Sequence, residues 1–295
     1  MKQNFYHTIT TKNMVLDSYK TLSFIHNNTC IYRDDSNYKE NKGINISLFP
    51  NYLKPEFKDS LKVVTIPQKK ITGYSILIDP EKDKDIETKL RIDYKKSFRN
   101  NVLRLLNRFE SCFNVKYRMF FGSIEKDEYD YLMQSLYTML TNRFNQRNET
   151  NKVLKNWKHY LNTTFNFINN QKASIFVIYA GNSPVHICIN HHFNDILFVS
   201  IPSYDIDYAK FGFGNISFYK LLEWSIANNY KVMDMAQGYL EYKRRWSNNI
   251  YGFNHHIIYP KGNFIAKSTS LLEITKLKFK NFLKTKNFDT FIDKI

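Results

Sequence analysis

Apolar and polar positions alternate with two different periods along this chain, and the changes of period mark its elements. The run Ile196 to Ile201 is continuously apolar, β-branched and aromatic, which predicts a buried strand; Pro202, with no amide proton for a ladder, is expected to end it. A polar loop containing Gly212 and Gly214 follows. Then Ile216, Tyr219, Leu222 and Ile226 recur at three- and four-residue spacing, one face of a helix whose expected N-cap is Asn215. Lys231 to Ala236 reads as a short strand, Gly238 as a turn, and Tyr239 to Trp246 as a charged, aromatic helix. Upstream, Val115 to Gly122 reads as a strand, and Glu125 to Phe144 carries Tyr129, Leu132, Leu136, Leu140 and Phe144 on one helical stripe with acids in its first turn. Another helix covers Leu154 to about Asn169. Ala173 to Tyr179 and Val185 to Asn190 are strands at hairpin distance around Gly181-Asn182-Ser183-Pro184, and Tyr251 to Tyr259 is the expected last strand.

The first third has the same mixture. Thr21 to Tyr32 predicts two strands around the turn-prone pair Asn27-Asn28, and Ile44 to Phe49, Leu61 to Ile66 and Tyr74 to Ile78 are strands expected to stop at Pro50, Pro67 and Asp79-Pro80. From about Lys82 to Glu110 runs a long helical stretch with Phe98, Val102, Leu105, Leu106 and Phe109 inward and Arg91, Lys95, Lys96, Arg99, Arg104 and Arg108 outward. That basic face is either a solvated surface or an anion-binding wall. The pattern is α/β (α+β), and a division into two α/β units, 1–114 and 115–295, is expected. From Ser268 to Ile295, Leu271, Ile274, Leu277, Leu283 and Phe291 alternate with lysines; packing on the domain is the expected role of this basic amphipathic tail, ahead of an anionic membrane or RNA.

Composition narrows the partners. The 295 residues are 43% hydrophobic and 16% aromatic, enough for sizeable cores, and 43 Lys and Arg against 27 Asp and Glu give a net charge of +16. Such a charge favours anionic partners such as phosphorylated cofactors, nucleotide-linked substrates, tRNA or a membrane surface. Cys30, Cys112 and Cys188 are far apart and form no C-x-x-C pair, so neither a disulfide framework nor a zinc ribbon is indicated. The first residues contain no leader-like apolar core and no run approaches the roughly 20 residues that span a bilayer, so a cytoplasmic location is expected.

The chemistry concentrates between Tyr204 and Trp246. Two glycines at a helix entrance let a ligand approach the backbone, where the unpaired amides and the positive end of the helix dipole suit an anion. With Tyr204-Asp205, Gly212-x-Gly214, Asp234 in a strand, Gly238 in the turn and Tyr242-Lys243 four residues later, the segment resembles the GNAT acyltransferase superfamily, in the branch shared by CelD-like acetyltransferases and Fem-type aminoacyltransferases. The resemblance implies a GNAT-like fold, in two tandem GNAT-like units with mixed, largely antiparallel sheets flanked by helices, the first degenerate and ending in the long basic helix. It implies an N-acyltransferase using acetyl-CoA or another acyl-CoA, no metal, and a small-molecule or nucleotide-linked amine acceptor on a sugar or amino-acid precursor. Lys210, Phe211, Gly212, Phe213, Gly214 and Asn215 would hold the donor. Tyr204, Asp205 and Arg99 would face the acceptor. Ala209 stands where the broader GNAT motif carries Gln or Arg.

Acyl transfer to an amine needs bound donor phosphates, a polarised carbonyl and a route for the ammonium proton. Lys243 is the expected catalytic cation, since it matches the Tyr-Lys pair and a cation there steadies a phosphate, a carboxylate or a developing oxyanion. Asp234 would orient it or the amine, and Tyr242, Glu241, His186, His191 and His192 complete the candidates for proton handling. The pairs His191-His192 and His255-His256 lack metal-spaced partners and are expected at the surface. Two alternatives stand beside the acyl-CoA enzyme. One is a Fem-type transferase taking its donor from aminoacyl-tRNA; the other is a non-catalytic nucleic-acid binder, which would show salt-sensitive binding and no turnover.

Overall fold

The structure, a computed structural model, describes residues 2–36 and 42–286. In chain order the elements are β1 (Lys2–Asn4), α1 (Phe5–Lys12), β2 (Tyr19–Phe24), β3 (Cys30–Arg33), β4 (Ile44–Pro50), β5 (Leu53–Phe57), β6 (Leu61–Leu77), α2 (Ile86–Asp93), α3 (Lys96–Cys112), β7 (Val115–Phe120), α4 (Lys126–Gln146), α5 (Lys152–Lys155), α6 (Trp157–Asn169), β8 (Ala173–Ala180), β9 (Ser183–Phe193) and β10 (Ile196–Tyr204). A 3-10 turn (Ile206–Phe211) leads into α7 (Phe213–Ala227), β11 (Val232–Gln237), α8 (Glu241–Trp246), β12 (Asn249–Pro260) and α9 (Phe264–Thr285). They form two compact units, one of Met1–Tyr74, Gln237–Tyr239 and Asn249–Ile295, the other of Ser75–Ala236 and Leu240–Asn248. The division therefore runs differently from a cut after residue 114: α2 and α3 lie with the elements that follow them, and β12 and α9 with the first strands. The predicted tail beyond Lys286, Phe291 included, lies outside the described residues.

In the first unit β4 pairs in parallel with β1 and antiparallel with β12, while β2 is the centre of a small sheet between β3 and β5. Pro67 does not end a strand, because β6 runs through it from Leu61 to Leu77. A proline costs a strand one donor, which matters little where that donor has no ladder partner.

In the second unit β8 pairs with β7 and β9 antiparallel, β9 with β10 antiparallel, and β10 with β11 in parallel. The sheet is covered on both faces, so its central strands read as continuous apolar runs rather than alternating ones. On one face α4 and α6 bury Tyr129, Leu132, Leu136 and Ile168 against Ile175, Val177, Ile187, Ile189 and Ile201. On the other lies α7, which is buried on almost every side and so shows no clear stripe. The long helix expected over residues 82–110 is two helices, broken at Tyr94 and Lys95, both extended. Tyr94 leaves the helix because its ring stacks on Phe98 at 5.0 Å and its hydroxyl donates to the Trp246 carbonyl at 2.5 Å. The helix expected over 154–169 likewise divides into α5 and α6.

Candidate active site

The site begins where two parallel strands part. β10 and β11 pair only at Ile196 with Val232, Leu197 with Met233 and Phe198 with Asp234, yet β10 continues to Tyr204 against β9 alone, with a register shift between Val199 and Ile201. Beyond Phe198 one edge of β10 is open. Pro202 sits in that stretch rather than ending it, for its carbonyl accepts from Arg143 Nη1 at 3.5 Å on the side β11 has left, and an amide on that side would have no ladder partner to lose.

The Gly212-x-Gly214 loop lies just past the end of β10. Gly212, not Asn215, is the N-cap of α7, with φ +71° and ψ 47°, a left-handed conformation that glycine reaches without steric cost. A side chain there would also meet Leu105 of α3 at 3.2 Å. Gly214 has neither reason: its backbone is helical and a Cβ would have nothing within 4 Å. The Gly212 amide bonds the Ala209 carbonyl and the Asn215 amide the Gly212 carbonyl, which leaves the amides of Phe213 and Gly214 as the helix's outward donors. The rings of Phe211 and Phe213 are buried against Phe109 at 5.3 and 5.0 Å, so these two residues offer a ligand their backbone, not their side chains. Lys210 Nζ and the Arg108 guanidinium lie over the Phe211 ring at 5.4 and 5.5 Å, two exposed cations beside the loop.

Helix α8 is fixed by its last residue. Trp246 is fully buried, donates from Nε1 to Asn215 Oδ1 at 3.0 Å, and packs on Tyr94, Phe98 and Phe218. Asn215 therefore ties α8 to the first turn of α7 instead of capping that turn. Asn248 continues the anchoring through the Leu77 main chain and Asp93, and Asp93 in turn pairs at 2.9 Å with the buried Lys89. From this base α8 presents Tyr242 and Lys243, both half-buried. Burial lowers the Lys243 pKa, opposed by the negative charge of Asp234. Asp234 is wholly buried at the last position of β11 that pairs with β10, and its Oδ1 accepts from the Ala236 amide at 2.7 Å, holding Ala236 at φ +63°. Burial raises the Tyr242 pKa, so its phenol stays a donor at neutral pH, while the charges of Arg143 and Arg147 pull the other way.

A second group of polar side chains lines the open edge of β10. Arg143, in the last turn of α4, lies over the Tyr204 ring at 4.7 Å, and its Nε is buried with no hydrogen-bond partner among the described residues. His186 donates from Nδ1 to the Ser203 carbonyl at 2.6 Å, while its Nε2 and the Ser203 hydroxyl are buried and have no hydrogen-bond partner among the described residues. Its ring stacks on Phe213 at 5.9 Å, and burial, reinforced by the Arg143 charge, lowers its pKa to about 3, so it is a neutral imidazole. Asp205 caps the 3-10 turn by accepting from the Asp207 amide at 3.1 Å. Arg99 is half-buried on α3, which packs against α7 and the 3-10 turn.

The sequence thus points to Tyr204, the loop, Asp234, Tyr242 and Lys243 within one unit. Arg143 is the residue it misses, since a basic residue in the last turn of a helix is ordinary dipole chemistry and its reach over β10 has no sequence signal. The histidine pairs are a correction. His191 and His192 are buried, bonded to Ser200 at 2.8 Å and to Tyr230 and Ser174 at 2.7 and 2.8 Å. His256 is also buried, at 2.9 Å from the Tyr19 hydroxyl, and His255 is half-buried against Asn45 at 3.0 Å. Adjacent strand residues point to opposite faces, and here both faces are covered. Among the described residues no group of three or more His, Cys, Asp or Glu is placed to hold a metal ion.

Compared with family models, residues 96–244, half of the chain, match the acetyltransferase (GNAT) domain. No curated protein matches the sequence. Among solved structures the chain is similar to a conserved protein of unknown function from Bacteroides thetaiotaomicron, at 13% identity and TM-score 0.45, over 67% of this chain and 63%, less than two thirds, of that one. It is also similar to L-PGS from Bacillus licheniformis, at 11% identity and TM-score 0.44 over 80% of this chain and 72% of that one. The C-terminal domain of a putative lysylphosphatidylglycerol synthetase from Agrobacterium fabrum gives 8% identity and TM-score 0.46, over 79% and 72%.

Proposed function

The chain belongs to the acetyltransferase (GNAT) domain family, a mixed α/β fold whose members transfer acyl groups, and we propose that it is an N-acyltransferase moving an acetyl or related group from acyl-CoA to the amine of a sugar or amino-acid precursor. The observation that carries this reading is the pairing of an open β10 edge with Gly214. Gly212 is explained by its backbone; Gly214 is not, and close approach of a phosphate to the Phe213 and Gly214 amides is the reason left. The loop fits a pyrophosphate, with Lys210 and Arg108 adding charge. Ala209, short and neutral, contributes nothing to that grip.

Acyl-CoA supplies an activated thioester carbonyl. The main chain of β10 past Phe198 supports it with unpaired edge groups. The amine nitrogen bonds to the carbonyl carbon, the carbon–sulfur bond breaks, and the proton released by the amine goes to solvent or a basic side chain. Lys243 steadies the negative charge that develops on the oxygen, Asp234 holds Lys243, and Tyr242 donates a hydrogen bond. Tyr204, Asp205 and Arg99 form the acceptor side in this reading, joined by Arg143. Tyr204-Asp205, Asp234 and Tyr242-Lys243 support a reading within the CelD-like and Fem-type branch, and an acyl-CoA donor suits a cytoplasmic location.

The net charge of +16 also suits a Fem-type enzyme that draws its donor from aminoacyl-tRNA. Thermal unfolding with millimolar acetyl-CoA, and separately with aminoacyl-tRNA, decides between donors, since a ligand that binds only the native state raises the melting temperature. The acyl-CoA reading predicts a rise with acetyl-CoA; a rise with aminoacyl-tRNA alone overturns it.

A further inference from the structure

Helix α9 is apolar on both sides, and among the described residues only one side is covered. Its inner face places Ala266, Ser270 and Ile274 against the first unit, where Ile274 packs with Ile66 and Ile257. Asn281 donates to the Pro67 carbonyl at 2.7 Å, and Glu273, the one acid of the helix, accepts from Asn45 at 2.7 Å. The opposite face is Phe264, Ile265, Leu271, Leu272, Phe279 and Phe282, exposed by 80%, 80%, 48%, 74%, 55% and 55%. At 3.6 residues per turn these six fall within about a third of the circumference and extend over about 27 Å of helix. Lys267 and Lys278 border one side of the stripe and Lys276 and Lys280 the other. At its N-terminal end Phe264 joins Lys62, Lys261 and Lys267 around a cavity of about 300 Å3.

We propose that this face of α9 docks on an anionic lipid bilayer, with Phe264, Ile265, Leu272 and Phe279 seated among the acyl chains and Lys62, Lys261 and Lys267 around lipid phosphate. An apolar stripe with lysines on both borders and no acid on the exposed side is the arrangement that a helix lying in a charged interface requires. RNA would want the cations on the stripe, not beside it. A second copy of the helix would bring like charges together at both borders, and Ser268 and Thr275 interrupt the seam that two helices would share. No helix among the described residues is long and apolar enough to cross a membrane, so α9 lies on the surface.

Co-sedimentation of the whole protein with vesicles of phosphatidylcholine, alone or mixed with phosphatidylglycerol, tests this. Binding is expected to the mixed vesicles and not to the neutral ones, and to weaken as salt rises. The Ile265→Ser/Leu272→Ser/Phe279→Ser variant, changed only at exposed positions, should keep its circular dichroism and lose about a hundredfold in affinity. Lys62→Glu/Lys261→Glu/Lys267→Glu should lose the preference for phosphatidylglycerol. The proposal is overturned if the parent ignores the mixed vesicles, if the serine variant binds them equally, if light scattering shows a dimer that the serine changes abolish, or if an RNA duplex binds the helix in place of the vesicles.

Discussion

Replacing Lys243 by methionine keeps the unbranched apolar stem and removes the ammonium group, so it asks directly whether that cation acts in the reaction. In the structure the ammonium is held at a cost: burial lowers its pKa from the ordinary 10.5, and Asp234 offsets this only in part. A base whose folded pKa is depressed is penalised wherever both folded and unfolded states carry the proton, which for this lysine includes neutral pH. Loss of the charge should therefore leave the melting temperature unchanged or higher. Turnover should fall about a hundred- to a thousandfold, roughly 3 to 4 kcal/mol, the size of one electrostatic contact made in the transition state, with little change in donor affinity. The parent's rate should also decline with rising pH earlier than an ordinary lysine would titrate, and Lys243→Met should lack that limb. Steady-state kinetics over a pH series, with circular dichroism on both proteins, reads all of this. Near-parental turnover refutes the catalytic role, a collapse in stability makes Lys243 a structural counter-charge to Asp234, and a defect confined to acceptor saturation moves it to the substrate pocket.

Other outcomes follow from the loop and from the buried imidazoles. Gly212→Ala should lose about 1–2 kcal/mol in denaturant unfolding, from a left-handed alanine and the approach to Leu105, whereas Gly214→Ala should be neutral or gain a few tenths; equal losses would contradict the separate roles given to the two glycines. His186, His191, His192 and His256 have pKa values lowered by burial to about 3, 4, 3 and 4. Their folded values lie below the unfolded 6.5, so the stability they contribute is present above about pH 6.5 and drains as the pH falls toward 4, up to about 3 kcal/mol for each group. Urea midpoints should hold from pH 7.5 to about 6.5 and then fall toward pH 4.5, and a flat profile would be inconsistent with this burial.

Much of the second unit is legible in the sequence because its signals are local. The stripe of α4, the hairpin of β8 and β9 and the glycine loop each lie within a window of a few residues, and the elements fall where the period predicts. Prolines mislead at Pro67, which β6 runs through, and at Pro202, where a strand loses nothing because the missing amide faces an edge that β11 has left. The break at Tyr94 is invisible for another reason: its cause is the Trp246 carbonyl, far along the chain. Likewise Asn215 looks like a cap and serves as the acceptor for Trp246, and the histidine pairs look polar and exposed until both faces of their strands are seen to be covered. Arg143 reaches Tyr204 and the Pro202 carbonyl only through the fold. Lys243 and Asp234 are found from the sequence through their resemblance to a family pattern, and their proximity is a property of the structure.

Isothermal titration of CoA into the parent and into Gly214→Val is the most direct measurement of the central claim, that the first turn of α7 holds the donor's phosphates. The Cβ site at Gly214 is open, so valine should fold normally, as circular dichroism would verify, while its branched side chain bars phosphate from the Phe213 and Gly214 amides. The account predicts binding by the parent and a loss of at least about tenfold in the variant. No binding by the parent, or equal affinity in both proteins, would contradict it.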